Sequence, residues 1–228
     1  MVDPQEVTQV FTIIRCLAGR SVERGYRRLL NTPGGGRIAY ERVELVEHLA
    51  NDQWLAGFAE DTVAAAYRTV LARDSLSAAQ LALRSRRGLN NLRNDTPHPY
   101  AWFGRRIRDT HDIWHVLTGY GCDALGEACL AAFSYAQTGG LGWALISGGG
   151  ALSIRHSEGH PLRRAIWEGY RRGRRAAWLP GEDYLRLLAE PLETARHRLN
   201  LRPAPLYDSV PTTSRNPPRP IAAEARIL

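Results

Sequence analysis

The chain contains no lysine, so all 30 of its basic residues are arginine, and its formal net charge is +7. The complete absence of one basic residue type is typical of a codon bias that acts on a whole genome, rather than of a binding chemistry. The arginine excess alone is therefore no evidence for recognition of DNA or RNA, and no nucleic-acid-binding motif accompanies it. We expect no nucleic-acid partner.

Cysteine is scarce: the chain has only Cys16, Cys122 and Cys129, and these form no C-x-x-C pair. An odd number of cysteines cannot be paired completely in internal disulfides, which indicates a reducing compartment. The apolar stretch at residues 10–18 is short, is interrupted by Arg15 and lacks the basic start of a secretory signal. These observations predict a cytoplasmic location.

Charged residues are missing altogether from residues 128–154, which raises the question of a membrane-spanning helix. Six glycines, however, cut this stretch into pieces that are too short to span a bilayer; they are Gly139, Gly140, Gly142 and Gly148 to Gly150. We therefore expect a buried helix followed by a glycine-rich connection.

Strand-like alternation of apolar and polar residues is nearly absent, whereas apolar residues recur at three- and four-residue steps. With 228 residues, 44% of them hydrophobic, the chain can bury one good-sized core. The sequence predicts an all-α fold: a single compact multi-helix domain over residues 1–202 and a disordered or extended proline-rich tail over residues 203–228. Helices are expected near residues 4–18, 41–50, 53–72 (one helix or a pair of short ones), 77–86, 103–118, 123–138, 161–177 and 181–199.

The most informative motif is His111-Asp112-Ile113-Trp114-His115, followed after a glycine-broken turn by Glu127. Residues four apart lie one above the other on a helix, so the two histidines share a face, and Asp112 is expected on the same flank. Asp123 is typical of the N-cap of a second helix, which would bring Glu127 back towards the first. The predicted metal ligands are therefore His111, Asp112, His115 and Glu127.

Nitrogen and oxygen ligands without a thiolate suit a divalent cation, with zinc first and iron, manganese or cobalt as alternatives. Two histidines on an amphipathic helix can also be ordinary half-buried polar residues, and the acidic neighbours are what favour the metal. A metalloprotease of the H-E-x-x-H type is disfavoured, because Asp112 directly follows the first histidine and cannot replace the general base of that motif.

The segment from Arg108 to Gly121, continued by Leu125-Gly126-Glu127 and Ala136-Gln137-Thr138-Gly139, resembles the Coq-four family of ubiquinone (coenzyme Q) biosynthesis proteins. That family's H-D-x-x-H, eleven residues and glutamate are matched without a gap. Two later segments, at residues 182–185 and 191–196, resemble the family's closing pattern. The likeness runs from about Tyr26 to Leu201.

The resemblance implies a metal-dependent protein that binds a polyprenyl lipid or prenylated quinone precursor and removes the ring carboxyl group of a polyprenylated hydroxybenzoate, with or without hydroxylation at the same carbon. It implies a peripheral position on a membrane surface, which we expect to be the inner face of the cell membrane, and other ubiquinone-biosynthesis proteins as partners. The alternative is a non-catalytic scaffold that binds a prenyl lipid and organises those enzymes. A homodimer stays open.

Further candidates are named from their proximity to the motif. Asp109 and Thr110 are expected to orient ligands, and Asp109 and Tyr120 are the catalytic candidates, Tyr120 as a proton donor. Asp95 and His98 lie in a polar, proline-marked connection that could pass over the site.

Two features are expected to meet a lipid. Arginines alternate with Trp167, Tyr170 and Trp178 over residues 163–178, a mixture that suits a bilayer interface but also a solvated helix face. The small residues between Ala124 and Gly150 leave room for a groove that holds a prenyl tail.

Overall fold

The computed structural model describes residues 20–73, 98–153 and 161–215, and these residues contain no strand, only an isolated antiparallel bridge between Thr62 and Pro191. The predicted all-α fold is confirmed. The α-helices are α1 Ser21–Leu30, α2 Gly35–Glu41, α3 Leu45–Leu49, α4 Asp52–Ala56, α5 Val63–Arg73, α6 Pro99–Asp109, α7 His111–Thr118, α8 Ala124–Thr138, α9 Leu141–Ser153, α10 Leu162–Arg175, α11 Tyr184–Ala189, α12 Leu192–Arg198 and α13 Pro205–Asp208. Two 3₁₀ turns follow α10 and α13, at Leu179–Gly181 and Thr212–Ser214.

The centre of the fold is the packed pair α8 and α10. Glycines on α10 allow the two backbones to approach closely: a Cβ on Gly169 would lie 2.5 Å from the carbonyl oxygen of Cys129, and one on Gly173 would lie 2.6 Å from that of Phe133. Helix α7 leads into α8 through a short loop, and helix α9 packs back along α8.

The larger apolar cluster surrounds α7 and α8 and includes the fully buried rings of Tyr67, Trp114, Phe133 and Tyr184. A smaller cluster lies under α1, α2 and α6; its buried members are Leu29, Ile38, Ala39, Trp102 and Phe103. The metal-motif helix α7 is thus enclosed by core, with six of its eight residues buried.

The helices predicted at 123–138 and 161–177 are confirmed as α8 and α10, and the expected pair within 53–72 is confirmed as α4 and α5. Asp123 caps α8 as predicted, since its side chain accepts a hydrogen bond from the backbone N–H of Gly126. The helices predicted at 4–18 and 77–86 lie outside the described residues.

Several predicted boundaries are wrong. The helix expected over 103–118 is two helices that meet at Thr110, and the one expected over 181–199 is broken at Pro191, which cannot continue the preceding helix. The helix expected over 41–50 is only α3. The glycine-rich connection expected after residue 139 is instead the helix α9, which continues through Gly148. Helices α1 and α2 have no counterpart among the predicted helices.

The chain stays packed beyond the predicted end of the domain at residue 202. Helix α13 buries Tyr207, and Val210 after it is 1% exposed. The rest of the predicted tail, residues 216–228, lies outside the described residues.

No helix in the described part of the chain combines the length and the apolar character that crossing a membrane requires.

Candidate metal site

His111 and His115 lie one turn apart on α7, as their spacing predicts, and their ring centroids are 4.9 Å apart. The side chain of His115 is 2% exposed and that of His111 is 12% exposed. Both rings present their Nε2 atoms to the carboxylate of Glu127.

The loop between α7 and α8 positions Glu127. Gly119 ends α7 in the left-handed region, with φ of 79°, where a residue with a side chain would be strained. The loop then folds against the start of α8 so closely that a Cβ on Gly126 would lie 2.0 Å from the carbonyl oxygen of Gly121. Glu127 follows directly, in the first turn of α8.

Three of the four predicted ligands come together. One ligand atom from each of His111, His115 and Glu127 lies within 4.8 Å of the others. Nε2 of His115 is 3.3 Å from Oε1 of Glu127, and Nε2 of His111 is 3.9 Å from Oε2. Tetrahedral zinc with bonds of about 2.0–2.1 Å separates its ligand atoms by about 3.3 Å, so these side chains fit a zinc-sized ion with small adjustments.

The hydrogen bonding of His115 also fits a metal ligand. Its Nδ1 lies 3.0 Å from the carbonyl oxygen of Tyr120, which can only accept, so Nδ1 carries the proton. The buried Nε2 atom faces Oε1 of Glu127 at 3.3 Å without hydrogen-bond geometry, and it has no other partner within the described part of the molecule. A carbonyl that holds the other ring nitrogen is the usual support of a metal-binding histidine.

The charges of the site are coupled. Burial alone lowers the pKa of His115, but the nearby carboxylate of Glu127, with the charge of Asp112 and the carbonyl of Tyr120, outweighs it and raises the pKa to about 9. For Glu127, partial burial alone raises the pKa, yet His115 and His111 together lower it below its ordinary value. The metal-free site therefore favours an imidazolium–carboxylate pair.

Asp112 lies outside the group of three. It follows His111 by one residue and is rotated about 100° around the helix, so its Oδ1 lies 3.5 Å from Nδ1 of His111, away from the ligating nitrogen. Asp112 is thus placed as a partner of the His111 ring rather than with the three candidate ligand atoms.

None of the other described candidates reaches the ligand atoms. Asp109 is buried, with Oδ1 bound by Arg108 and Oδ2 without a hydrogen-bond partner in the described region. Thr110 donates to the carbonyl of Ile107. The hydroxyl of Tyr120 is buried without a hydrogen-bond partner among the described residues, and burial raises its pKa. His98 caps α6 by accepting from the N–H of Tyr100. Asp95 lies outside the described residues.

Trp143 is a residue that the sequence analysis missed. Its ring on α9 is 5% exposed and lies parallel to the ring of His111, at 5.3 Å between centroids and 6° between planes. One face of the His111 ring is thereby covered. The charge-free sequence around Trp143 holds no signal of that contact.

Residues 1–205 match the family profile described as coenzyme Q (ubiquinone) biosynthesis protein Coq4. The chain belongs to the Coq4 family. It is 26% identical over 110 residues to the ubiquinone biosynthesis protein coq4, mitochondrial, of Aspergillus clavatus, a match that covers 48% of this chain and 36% of that protein. The mitochondrial COQ4 of Podospora anserina is 28% identical over 110 residues, covering 48% of this chain and 34% of its own. The matches thus span about a third of these relatives.

A solved structure shares the fold. The crystal structure of a candidate ubiquinone biosynthesis protein from Nostoc punctiforme superposes with a TM-score of 0.58 at 23% identity, covering 85% of this chain and 87% of that one. At this identity the likeness is one of fold.

The relatives also correct the expected location. The prediction of a cytoplasmic protein on the inner face of the cell membrane is wrong on this comparison, because the curated relatives are named as mitochondrial proteins. Unpaired cysteines indicate a reducing compartment without naming it, so they could not support that prediction.

Proposed function

We propose that His111, His115 and Glu127 bind a divalent cation, zinc first, in a protein of ubiquinone biosynthesis. The observation that carries this proposal is the convergence of three ligand atoms within 4.8 Å, one of them a buried ring nitrogen without another partner. Iron, manganese and cobalt accept the same nitrogen and oxygen ligands and are the alternatives.

The proposed reaction is removal of the carboxyl group from ring carbon 1 of a polyprenylated hydroxybenzoate, with dioxygen as the oxidant if hydroxylation accompanies it. When bound, the cation supplies a Lewis acid for the carboxylate or the neighbouring ring oxygens. The residues of the chain hold and orient the two imidazole rings. The backbone carbonyl of Tyr120 fixes the His115 ring, and the Trp143 ring covers one face of the His111 ring. Three protein ligands, the number found among the described residues, would leave a coordination position for substrate, which favours catalysis over a structural site closed by four protein ligands.

The second candidate function is a scaffold that binds a prenyl lipid and organises other enzymes of the pathway. It is favoured by exposed apolar side chains on α9 and α10: Leu141 is 60% exposed, Leu145 55% and Trp167 59%. The exposed arginines of α10, among them Arg163, Arg164 and Arg171, complement anionic headgroups around Trp167. Both candidate functions thus include attachment to a membrane surface.

Elemental analysis of the native protein together with a lipid extract tests the site and the lipid at once. The proposal expects about one equivalent of metal that is lost in His115→Ala and retained in Glu47→Gln, a change on an exposed face of α3. An unchanged metal content in His115→Ala would refute the site.

Turnover separates the two functions. Metal-loaded protein is incubated with a prenylated hydroxybenzoate, with and without oxygen, and release of CO₂ is measured. Release that depends on metal supports the enzyme, and release only with oxygen supports the oxidative form. Bound lipid without turnover under either condition would leave the scaffold as the function.

A further inference from the structure

Two arginines bind the carboxyl end of the metal-motif helix. The last carbonyl groups of a helix have no partner within it and carry its partial negative charge. In α7, Arg196 donates from Nη2 to the carbonyl of Val116, at 2.8 Å, and from Nε to that of Leu117, at 3.1 Å. Arg172 donates from Nη2 to the next carbonyl, that of Thr118, at 2.8 Å. Three consecutive carbonyls are thus held by two guanidinium groups.

Arg172 is an unusual residue to bury. It is 9% exposed and forms no ion pair with a carboxylate of the described residues. Its other donors reach the carbonyl of Arg202, and its Nη1 has no hydrogen-bond partner in the described part of the chain. Its charge is offset by the helix end and by the ring of Tyr120, which lies 4.7 Å from the guanidinium carbon.

These contacts bracket the turn that holds His115. Arg172 contacts Thr118 before Gly119 and the ring of Tyr120 after it. The carbonyl of Tyr120 is the group that binds Nδ1 of His115. Arg196, arriving from α12, fixes the preceding turn of the helix and leaves its Nη1 to an exposed Glu193.

We propose that Arg172 and Arg196 are positioning residues for the metal site: they hold the turn from Thr118 to Tyr120 in place and thereby orient the His115 ring. The inference rests on the proposed metal site. Neither arginine belongs to the candidate ligand set. Their contribution is the geometry of the supporting carbonyl, and loss of such support typically costs 10–100-fold in metal affinity.

The test uses Co²⁺ alone as the probe, with the full-length chain. Arg172→Met and Arg196→Met are expected to weaken Co²⁺ binding by about tenfold and to alter the visible absorption of the bound ion, which reports ligand geometry. Arg186→Met, an arginine on α11 that is 81% exposed, is the matched control and should change neither. Arg196→Lys keeps the charge but cannot bind two carbonyls in a fork, so it should remain weak.

The outcomes are separable. Wild-type protein that binds no Co²⁺ would overturn the proposed metal site and this inference together. Wild-type protein that binds while both methionine variants keep its affinity and spectrum would overturn the inference alone. Full recovery in Arg196→Lys would also overturn it, because charge without the forked geometry would then suffice. If Arg172→Met does not fold, Arg196→Met, whose native side chain is 28% exposed, decides the test.

Discussion

Glu127→Gln is the change that most directly tests the electrostatics of the site. The wild-type pKa of His115 is raised from 6.5 to about 9. Burial lowers this pKa, but the carboxylate of Glu127 raises it by more. A metal ion binds only the neutral imidazole, so a proton must leave first. At pH 7, a pKa of about 9 leaves about 1% of the ring neutral, and the apparent affinity is about 100-fold below its limit.

The expected measurement is a competition titration against a chromophoric chelator between pH 7 and 8.5. Wild-type affinity should rise about tenfold per pH unit from release of the His115 proton. Glu127→Gln should bind more weakly overall, because it loses a ligand. Its remaining binding should depend less on pH over this range, because the charge that raises the pKa of His115 is gone. Glu47→Gln is the matched control and should follow the wild type.

The folding stability of the metal-free protein gives a second readout of the raised pKa of His115. A raised folded-state pKa stabilises the fold while the ring is protonated, so the contribution is full below pH 6.5 and is lost as pH rises towards 9. A shift from 6.5 to about 9 corresponds to about 3 kcal/mol. Chelator-treated wild type should lose stability over that window, and Glu127→Gln should lose much less. A wild-type affinity and stability that are both flat from pH 7 to 8.5 would refute the reasoning.

Three further predictions concern the scaffold around the site, each measured by urea unfolding. Gly169→Ala should destabilise by about 1–3 kcal/mol because its Cβ would lie 2.5 Å from a carbonyl of α8, whereas Gly148→Ala, with open space around it, should stabilise by about 0.5–1 kcal/mol; equal effects would contradict the close packing. Tyr184→Phe should cost about 1–3 kcal/mol, since the buried indole N–H of Trp114 loses its acceptor at 2.6 Å. Phe133→Ala should cost about 3–5 kcal/mol, and a loss below 1 kcal/mol would show that this core position is not packed as described.

Local chemistry was readable from the sequence where one residue decides the structure. Asp123 predicts the start of α8 because its side chain can accept from the N–H three residues later, and that bond is present. Residues four apart lie on one face of a helix, so the spacing of His111 and His115 predicts that the two rings share a face. Glu127 could be placed only because a turn and a capped helix follow, and both are found.

What the sequence could not supply are the contacts between distant segments. The break at Thr110 has no glycine or proline to announce it, and the helix through Gly148 is formed where local propensity favours a connection. Arg196 and Tyr207 lie far along the chain from α7 and α8, yet Arg196 binds the end of α7 and the Tyr207 hydroxyl binds both Gly121 and Asp123. Such pairings depend on the packed fold and leave no periodic trace.

The exposure of the ligands indicates from which side a substrate would approach. His115 is sealed in the core at 2% exposure, and Trp143 covers a face of His111, whereas the Glu127 side chain is 46% exposed. A structural zinc site is usually closed by four protein ligands. Here there are three candidate ligands among the described residues, and their side-chain exposure increases from His115 to His111 to Glu127. The open side is therefore that of Glu127, and the proposed substrate would reach the candidate site from that side.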